Sequence, residues 1–519
     1  MLLLAALAQL GADDGQIGRI GREVAVSRRL HDGEEYKLSL SELIAFGKRL
    51  FCANWTREEG GGRPLTKGTG KPLSDPKNPL SGLRAFNRIS GPDANSCAGC
   101  HNAPYGIPGG GGDIVANVFV LAQRFDFATF DRHDALAIHG TNAEDSSAAT
   151  LQTIGNSRIT TGMFGGGYIE MLAREITSDL QGIRDSVRPG ESKELVSKGI
   201  YYGRIGRKAD GIWDTSKVEG LPRLSLISRG SQDPPSLVIR PWHQASNVVS
   251  IREFTNTAFN QHHGIQSTER FGKDTDPDGD GVTNEMSRAE VTATSVFQAT
   301  LQVPGRVIPN DPEIEQAVLR GEGLFSKVGC AKCHVPALPL SRNGTIFTEP
   351  NPYNPPTNLR MGEARELRLD LTSGELPQPR LHPDVKRGGV TLVPIYADFK
   401  LHDICEREDS GEPLDMNQNT WSPRFRAGNR RFLTRRLWGA ANEPPYFHHG
   451  LFTTMRQAVL AHAGEAGGSR KAFLALSGYE QDTVIEFLKT LQVLPPGTRD
   501  LVVDENYHKK EWPLHEGLR

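Results

Sequence analysis

The sequence predicts a mainly α-helical protein of two similar domains, with long irregular insertions between the helices. Three observations carry that prediction. The pentapeptide Cys-x-x-Cys-His occurs twice, as CAGCH at residues 97–101 and CAKCH at residues 330–334. A helical pattern ending in Leu-Phe stands ahead of each copy, and a capped amphipathic pattern stopped by proline closes each half.

The opening helices align first. AFGKRLF at 45–51 matches LRGEGLF at 319–325, so Gly47 falls on Gly321, Leu50 on Leu324 and Phe51 on Phe325. In the second copy the cysteine pair follows after a short loop; in the first, a Gly/Pro/Lys-rich insertion at residues 56–95 intervenes. The closing helices match without a gap, SRAEVTATSVFQATLQV from Ser287 and SGYEQDTVIEFLKTLQV from Ser477. Ser287 with Glu290 and Ser477 with Glu480 have capping-box spacing: the serine hydroxyl accepts from the N3 amide, and the glutamate reaches back to the N-cap amide. Val484, Phe487, Leu488 and Leu491 then line one apolar face, with Phe297 and Leu301 in the matching places. Pro304 and Pro495 stop the helices. The stretch from Pro304 to Pro312, with Pro309 between, reads as a linker. It sets an N-terminal domain at 13–306 and a C-terminal domain at 307–519.

Composition agrees with a globular protein. The chain has 519 residues, more than one ordinary core holds, of which 37% are hydrophobic and 24% charged. A net charge of -2 gives no electrostatic case for nucleic acid or an anionic membrane surface. With 56 glycines and 33 prolines, long irregular segments are expected. MLLLAALAQLGA at residues 1–12 is too short to span a bilayer and lacks the basic stretch of a complete export signal. It reads either as a signal remnant or as an ordinary N-terminal helix. No later run is long enough for an integral membrane segment.

Four of the six cysteines, Cys97, Cys100, Cys330 and Cys333, lie in the two pentapeptides; Cys52 and Cys405 stand apart. A zinc site built from two Cys-x-x-Cys pairs gives the following histidines no reason. A redox dithiol needs one pair and no histidine. Covalent haem attachment uses every position. Each sulfur adds to a vinyl group, and the adjoining His101 or His334 reaches the iron. Two covalently bound c-type haems are therefore the expected cofactors. Attachment takes place outside the cytoplasm, so the expected location is periplasmic or otherwise exported. Opening and closing helices that cross above a haem are the layout of a small cytochrome c domain.

A haem iron with one histidine takes a sixth ligand or leaves that place open, and the choice separates electron transfer from catalysis. The segment NEPPYFHHGLFTTMRQAVLAHAGEA, residues 442–466, offers His448, His449, Met455 and His462. PPYFHHGLFTTMRQAV resembles the PYxHxG…tLxxAV segment of bacterial di-haem cytochrome c peroxidases. LTRRLWG, FLALSGYEQDTVIEFLKTL and the His-Ala-Gly-Glu-Ala run at 462–466 are closer to the di-haem oxidoreductase branch of that superfamily, the thiol oxidoreductases. The similarity runs through most of residues 40–500 and is strongest in the C-terminal half.

The resemblance implies that the sixth ligand of the second haem lies four residues after Ala458, at His462, where peroxidases usually carry methionine. It implies that His448 lies near the haem without binding it; His449 is given no role. A bis-histidine haem usually has a lower potential than a His/Met haem. The resemblance further implies reduction of a small oxidant such as hydrogen peroxide at the first haem. A small redox protein would supply electrons through the second. A distal glutamate assists in those enzymes, and Glu170, in GGGYIEMLAREI beside Tyr168, is the candidate for this general acid–base work. A helix-surface carboxylate is the other reading of Glu170. For the first haem's sixth ligand, His133, His139, His262 and His263 are candidates that spacing does not separate. Two alternatives stand beside the peroxidase reading: a non-enzymatic di-haem electron-transfer protein, and a haem-dependent oxygenase resembling rubber-cleaving dioxygenases.

DTDPDGDGVTNE, from Asp274, places Asp276, Asp278, Asp280 and Asn284 at calcium-loop positions 1, 3, 5 and 9, with Gly281 at the turn. Ser287 stands where the bidentate glutamate belongs, so a solvated acidic turn is the competing reading. PGGGGD at 108–113 lacks the lysine of a phosphate loop and reads as a loop over the haem edge. Whether Cys52 and Cys405 pair depends on distance.

Overall fold

The computed structural model describes residues 20–61, 96–112, 114–117, 156–276, 280–406 and 430–513. Its principal helices are α1 (Leu40–Cys52), α2 (Gly166–Asp185), α3 (Ile251–Ala258), α4 (Arg288–Ala299), α5 (Pro312–Lys327), α6 (Met455–Ala461), α7 (Gly467–Leu474) and α8 (Gly478–Lys489). Both closing helices start at the expected capping boxes, Ser287 with Glu290 and Ser477 with Glu480. A third box, Ser39 with Glu42, opens α1.

The aligned glycines mark two helix crossings. A Cβ on Gly47 would fall 1.9 Å from the Ala293 carbonyl oxygen of α4; one on Gly321 would fall 1.8 Å from that of Thr483 on α8. Only a residue without Cβ lets each opening helix approach its closing partner so closely. The aromatic contacts repeat as well. Phe51 meets Phe297 edge-on at 5.3 Å, and Phe325 meets Phe487 edge-on at 5.3 Å. Apolar faces spaced for a 3.6-residue period thus become two crossed helix pairs, each ending beside a Cys-x-x-Cys-His turn.

The expectation of a mainly α-helical fold is overturned: helix accounts for 33% and strand for 15% of the structure, the strand in several small sheets. β1 (Ile114–Asn117) pairs antiparallel with β2 (Asn156–Ile159). β3 (Ser192–Ser197), β4 (Ile200–Arg207) and β5 (Trp213–Asp214) form an antiparallel sheet. Lys198 and Gly199 connect β3 to β4 with φ 49° and 79°, and positive φ at both residues of a two-residue turn suits the right-handed twist of a hairpin. β6 (Gly305–Val307) lies between Leu491–Gln492 and Val502–Val503. The stretch read as a linker therefore begins as a strand locked between two segments of the C-terminal half. Three further pairs, Leu338–Leu340 with Thr391–Val393, Ile346–Glu349 with Leu367–Asp370 and Leu401–Asp403 with Arg431–Leu433, lie within that half. Segments read as irregular insertions hold these strands. Most are two to four residues long, too short for alternation to register as a pattern.

Residues 1–12 and most of the 56–95 insertion lie outside the described residues. No helix among the described residues is long and apolar enough to cross a membrane.

Candidate cofactor sites

Ser96 caps the single turn Cys97–Cys100 through its Oγ, which accepts from the Gly99 amide at 3.0 Å. His101 follows directly. Its Nδ1 donates to the Gly110 carbonyl at 3.0 Å, so Nε2 carries the lone pair a metal needs. Burial lowers its pKa to about 4, which keeps the ring neutral. Phe51 and Phe254 flank the ring at 6.0 and 6.2 Å. The glycine run folds back onto this histidine: the Gly109 amide donates to the His101 carbonyl at 3.0 Å. A Cβ on Gly110 would lie 1.8 Å from the Ala103 oxygen, and one on Gly112 would lie 1.8 Å from that of Cys100. The run is glycine because backbone lies against backbone.

The second site repeats this half. Cys330–Lys332 form a single turn. His334 Nδ1 donates to the Tyr396 carbonyl at 3.1 Å, and burial lowers this pKa also to about 4. Phe325 flanks His334 at 6.4 Å as Phe51 flanks His101. Beyond His334 lies His462, directly after α6. Its Nδ1 donates to the Ala458 carbonyl at 2.7 Å, and burial pulls its pKa down. The two ring centroids are 6.3 Å apart. Imidazoles that share one metal through Nε2, with nitrogen–metal bonds of about 2 Å, have centroids roughly 6 Å apart. A cavity of about 440 Å³ surrounds the pair, with Cys330, Cys333, Phe325 and Leu488 in its walls. Donor set, tautomers and space all fit a covalently held haem with two imidazole ligands.

The space beside His101 is smaller, about 50 Å³. Thr255 and Gln298 give it a polar wall: Gln298 Nε2 donates to Thr255 Oγ1 at 2.7 Å, and Gln298 Oε1 has no partner among the described residues. His262 and His263 line the same space from the π-helical turn Phe259–His263 that continues α3. Such turns recur at functional sites. His263 Nε2 lies 3.3 Å from Cys97 Sγ. His133 and His139 lie outside the described residues. Sequence reasoning did not single out His243. Its backbone is left-handed at φ 61°, its ring meets Phe254 edge-on at 5.3 Å, and burial lowers its pKa to about 4. No motif surrounds it, and only its unusual φ marks it.

The remaining candidates divide: Glu170 stands away from these walls, and His448 belongs to one of them. Glu170 is fully buried on α2 and lines neither space. One carboxylate oxygen accepts from Arg174 at 2.5 Å and Asn351 at 2.7 Å; the other accepts from the Ile251 amide that opens α3, at 2.7 Å. Its occupation is to hold the start of α3. His448 lines the second cavity and stacks on Phe432 at 3.8 Å; His449 Nδ1 accepts from the Leu451 amide at 3.0 Å. Asp276 accepts from the Asp280 and Gly281 amides, Asp280 from Val282, and Asn284 pairs with Asp274. Asp278 lies outside the described residues, and among those described the acidic loop forms no convergent metal-ligand set, so calcium is not supported. Cys52 and Cys405 are not joined by a disulfide.

Among the described residues Cys333, Asp398 and His402 alone bring three ligand atoms within 4.8 Å of one another. His402 is held by Asp398 at 2.8 Å and Glu465 at 2.7 Å. Burial pulls its pKa down, but Asp398 and Cys333 together, by hydrogen bond and by charge, outweigh that and raise it to about 11. A metal there would take Cys333 from the thioether motif, so the two uses exclude each other.

No family model matches the chain. It is 25% identical over 217 residues to the cytochrome-c peroxidase IdrP2 of Denitromonas iodatirespirans, covering 41% of this chain and 48% of that relative. The match thus spans about half the relative's length. Among solved structures, Kuenenia stuttgartiensis hydrazine synthase is similar at 12% identity, with 91% of this chain and 97% of that one covered and a TM-score of 0.29. A MauG-like protein associated with microbial copper homeostasis is similar at 16% identity, with 62% and 88% covered and a TM-score of 0.25. Scores this low carry no argument. The partial match in sequence makes the chain a distant relative of a cytochrome-c peroxidase.

Proposed function

We propose that the protein is an exported di-haem c-type oxidoreductase that reduces peroxide at the His101 site with electrons delivered through the His334/His462 site. The observation that supports it most is the pair of neutral imidazoles, 6.3 Å apart, across a 440 Å³ cavity walled by Cys330 and Cys333. The similarity to a cytochrome-c peroxidase supports peroxide as the oxidant. A haem supplies one-electron ferric/ferrous chemistry and, where a coordination position stays open, a place for an oxidant to bind.

The chain's own groups divide the work. Cys330 and Cys333 would hold one haem, and His334 and His462, which face each other, would both serve it as ligands and leave no place for an outside ligand. Cys97 and Cys100 would hold the other, with His101 as its ligand. Beside His101, Gln298 Oε1 is an acceptor waiting for a protic ligand such as hydroperoxide, and Thr255 orients the carboxamide. His262, in the same wall, is the group placed to take up and return the peroxide proton. A small redox protein is the proposed donor.

The test is peroxide addition to the fully reduced protein. Oxidation of both haems, with one peroxide consumed per two electrons, is expected. Reduced haems that ignore peroxide would leave a pure electron carrier as the better account. Oxygen incorporated into an unsaturated substrate would instead favour an oxygenase.

A further inference from the structure

The two cofactor sites meet through one peptide unit. Its carbonyl belongs to Gly110 and accepts from His101 Nδ1 at 3.0 Å; its N–H belongs to Gly111 and donates to Glu443 Oε1 at 3.0 Å. The other oxygen of Glu443 accepts from Arg435 Nη2 at 3.1 Å. Arg435 and Glu443 both line the second cavity. A hydrogen-bonded line therefore runs from the wall of the second cavity, through Arg435, Glu443 and one amide, to the imidazole of the first site.

The surroundings are shaped for this carboxylate. Glu443 is 6% exposed. A Cβ on Gly162 would fall 2.0 Å from Glu443 Oε1, and one on Gly111 would fall 2.9 Å from its Cδ. Both glycines leave the space that the carboxylate fills. Burial raises its pKa, and Arg435 and Arg436 pull it back toward the ionised form.

We infer that Glu443 is a positioning residue that sets the basicity of His101 through the Gly110–Gly111 peptide and ties it to the second cavity. The inference rests on the haem reading above. A carboxylate that accepts from an amide N–H polarises the amide, and its carbonyl becomes a stronger acceptor for the next donor. The His101 Nδ1–H bond then strengthens and Nε2 becomes the more basic ligand, as when a carboxylate backs a metal-bound histidine directly. A more basic ligand favours ferric over ferrous iron.

The test uses the holoprotein with Glu443→Gln and Glu443→Leu. The glutamine keeps an acceptor for Gly111 N–H without the charge, and the leucine removes both. Pyridine haemochrome first counts the haems; fewer than two in the wild type sinks the haem reading rather than this inference. At fixed potential the ferrous-to-ferric ratio of the His101 haem should rise about tenfold in Glu443→Leu, a shift of about 59 mV for one electron, and by less in Glu443→Gln. The iron–histidine stretch of the ferrous His101 site in resonance Raman should fall in the same order. A folded two-haem variant with both readings at the wild-type value would overturn the inference. If the leucine variant does not fold, Glu443→Gln decides alone by the same two readings.

Discussion

The two cofactor sites share one half and differ in the other. On the shared side, a phenylalanine from an opening helix, edge-on to one from a closing helix, flanks a histidine whose Nδ1 is committed to a backbone carbonyl. Across from it the sites part. α6 delivers His462 to face His334. Beside His101 stand the π-helical turn, two histidines and the Thr255–Gln298 pair. The repeated helices build the frame around each Cys-x-x-Cys-His turn, and the unrepeated segments decide what faces each of the two histidines.

The largest expected effect breaks the frame itself. Cys330→Ala with Cys333→Ala should remove one covalent haem and leave the other, and Cys97→Ala with Cys100→Ala should do the converse. Mass of the denatured polypeptide reads both. His462→Ala comes next. It should turn the second haem from low spin to high spin, reversed by added imidazole, with the His101 haem unchanged in its visible spectrum. Substitution at the crossings follows. Gly47→Leu and Gly321→Leu each drive a side chain into backbone and should each cost about 3 kcal/mol in urea unfolding. A large loss at one and none at the other would show that the crossings are not equivalent.

The smallest effect is on acid stability before haem is attached. His101 and His334 have folded pKa values of about 4 against an ordinary 6.5. The unfolded chain binds more protons between those values, so stability should be flat above pH 6.5 and fall as pH drops toward 4. A urea midpoint independent of pH across that window would mean that the rings are not held neutral.

The crossed-helix frame around each Cys-x-x-Cys-His turn was legible because it depends on local spacing. Cys-x-x-Cys-His, the capping boxes and the paired glycines are all short-range signals. That His462 faces His334 was legible through resemblance, from a segment whose spacing survives without an insertion. The sheets were not, because strands such as Leu338–Leu340 and Thr391–Val393 pair across long stretches of chain and show no period alone. The β3–β4 hairpin carried a readable Lys-Gly turn between β-branched and aromatic residues, which a helical expectation passed over. Glu170 was misleading because a glycine-rich stretch opening a helix looks the same whether its carboxylate faces a cofactor or caps another helix. Glu443 was invisible because its partner Gly111 lies 332 residues away in sequence.

Electron paramagnetic resonance of the as-isolated ferric protein, beside His462→Ala, tests the central claim most directly. The account predicts a low-spin bis-imidazole signal, lost in the variant, together with a second iron signal that the substitution leaves in place. A low-spin signal that survives the loss of His462, or a ferric protein with a single iron signal, would contradict it.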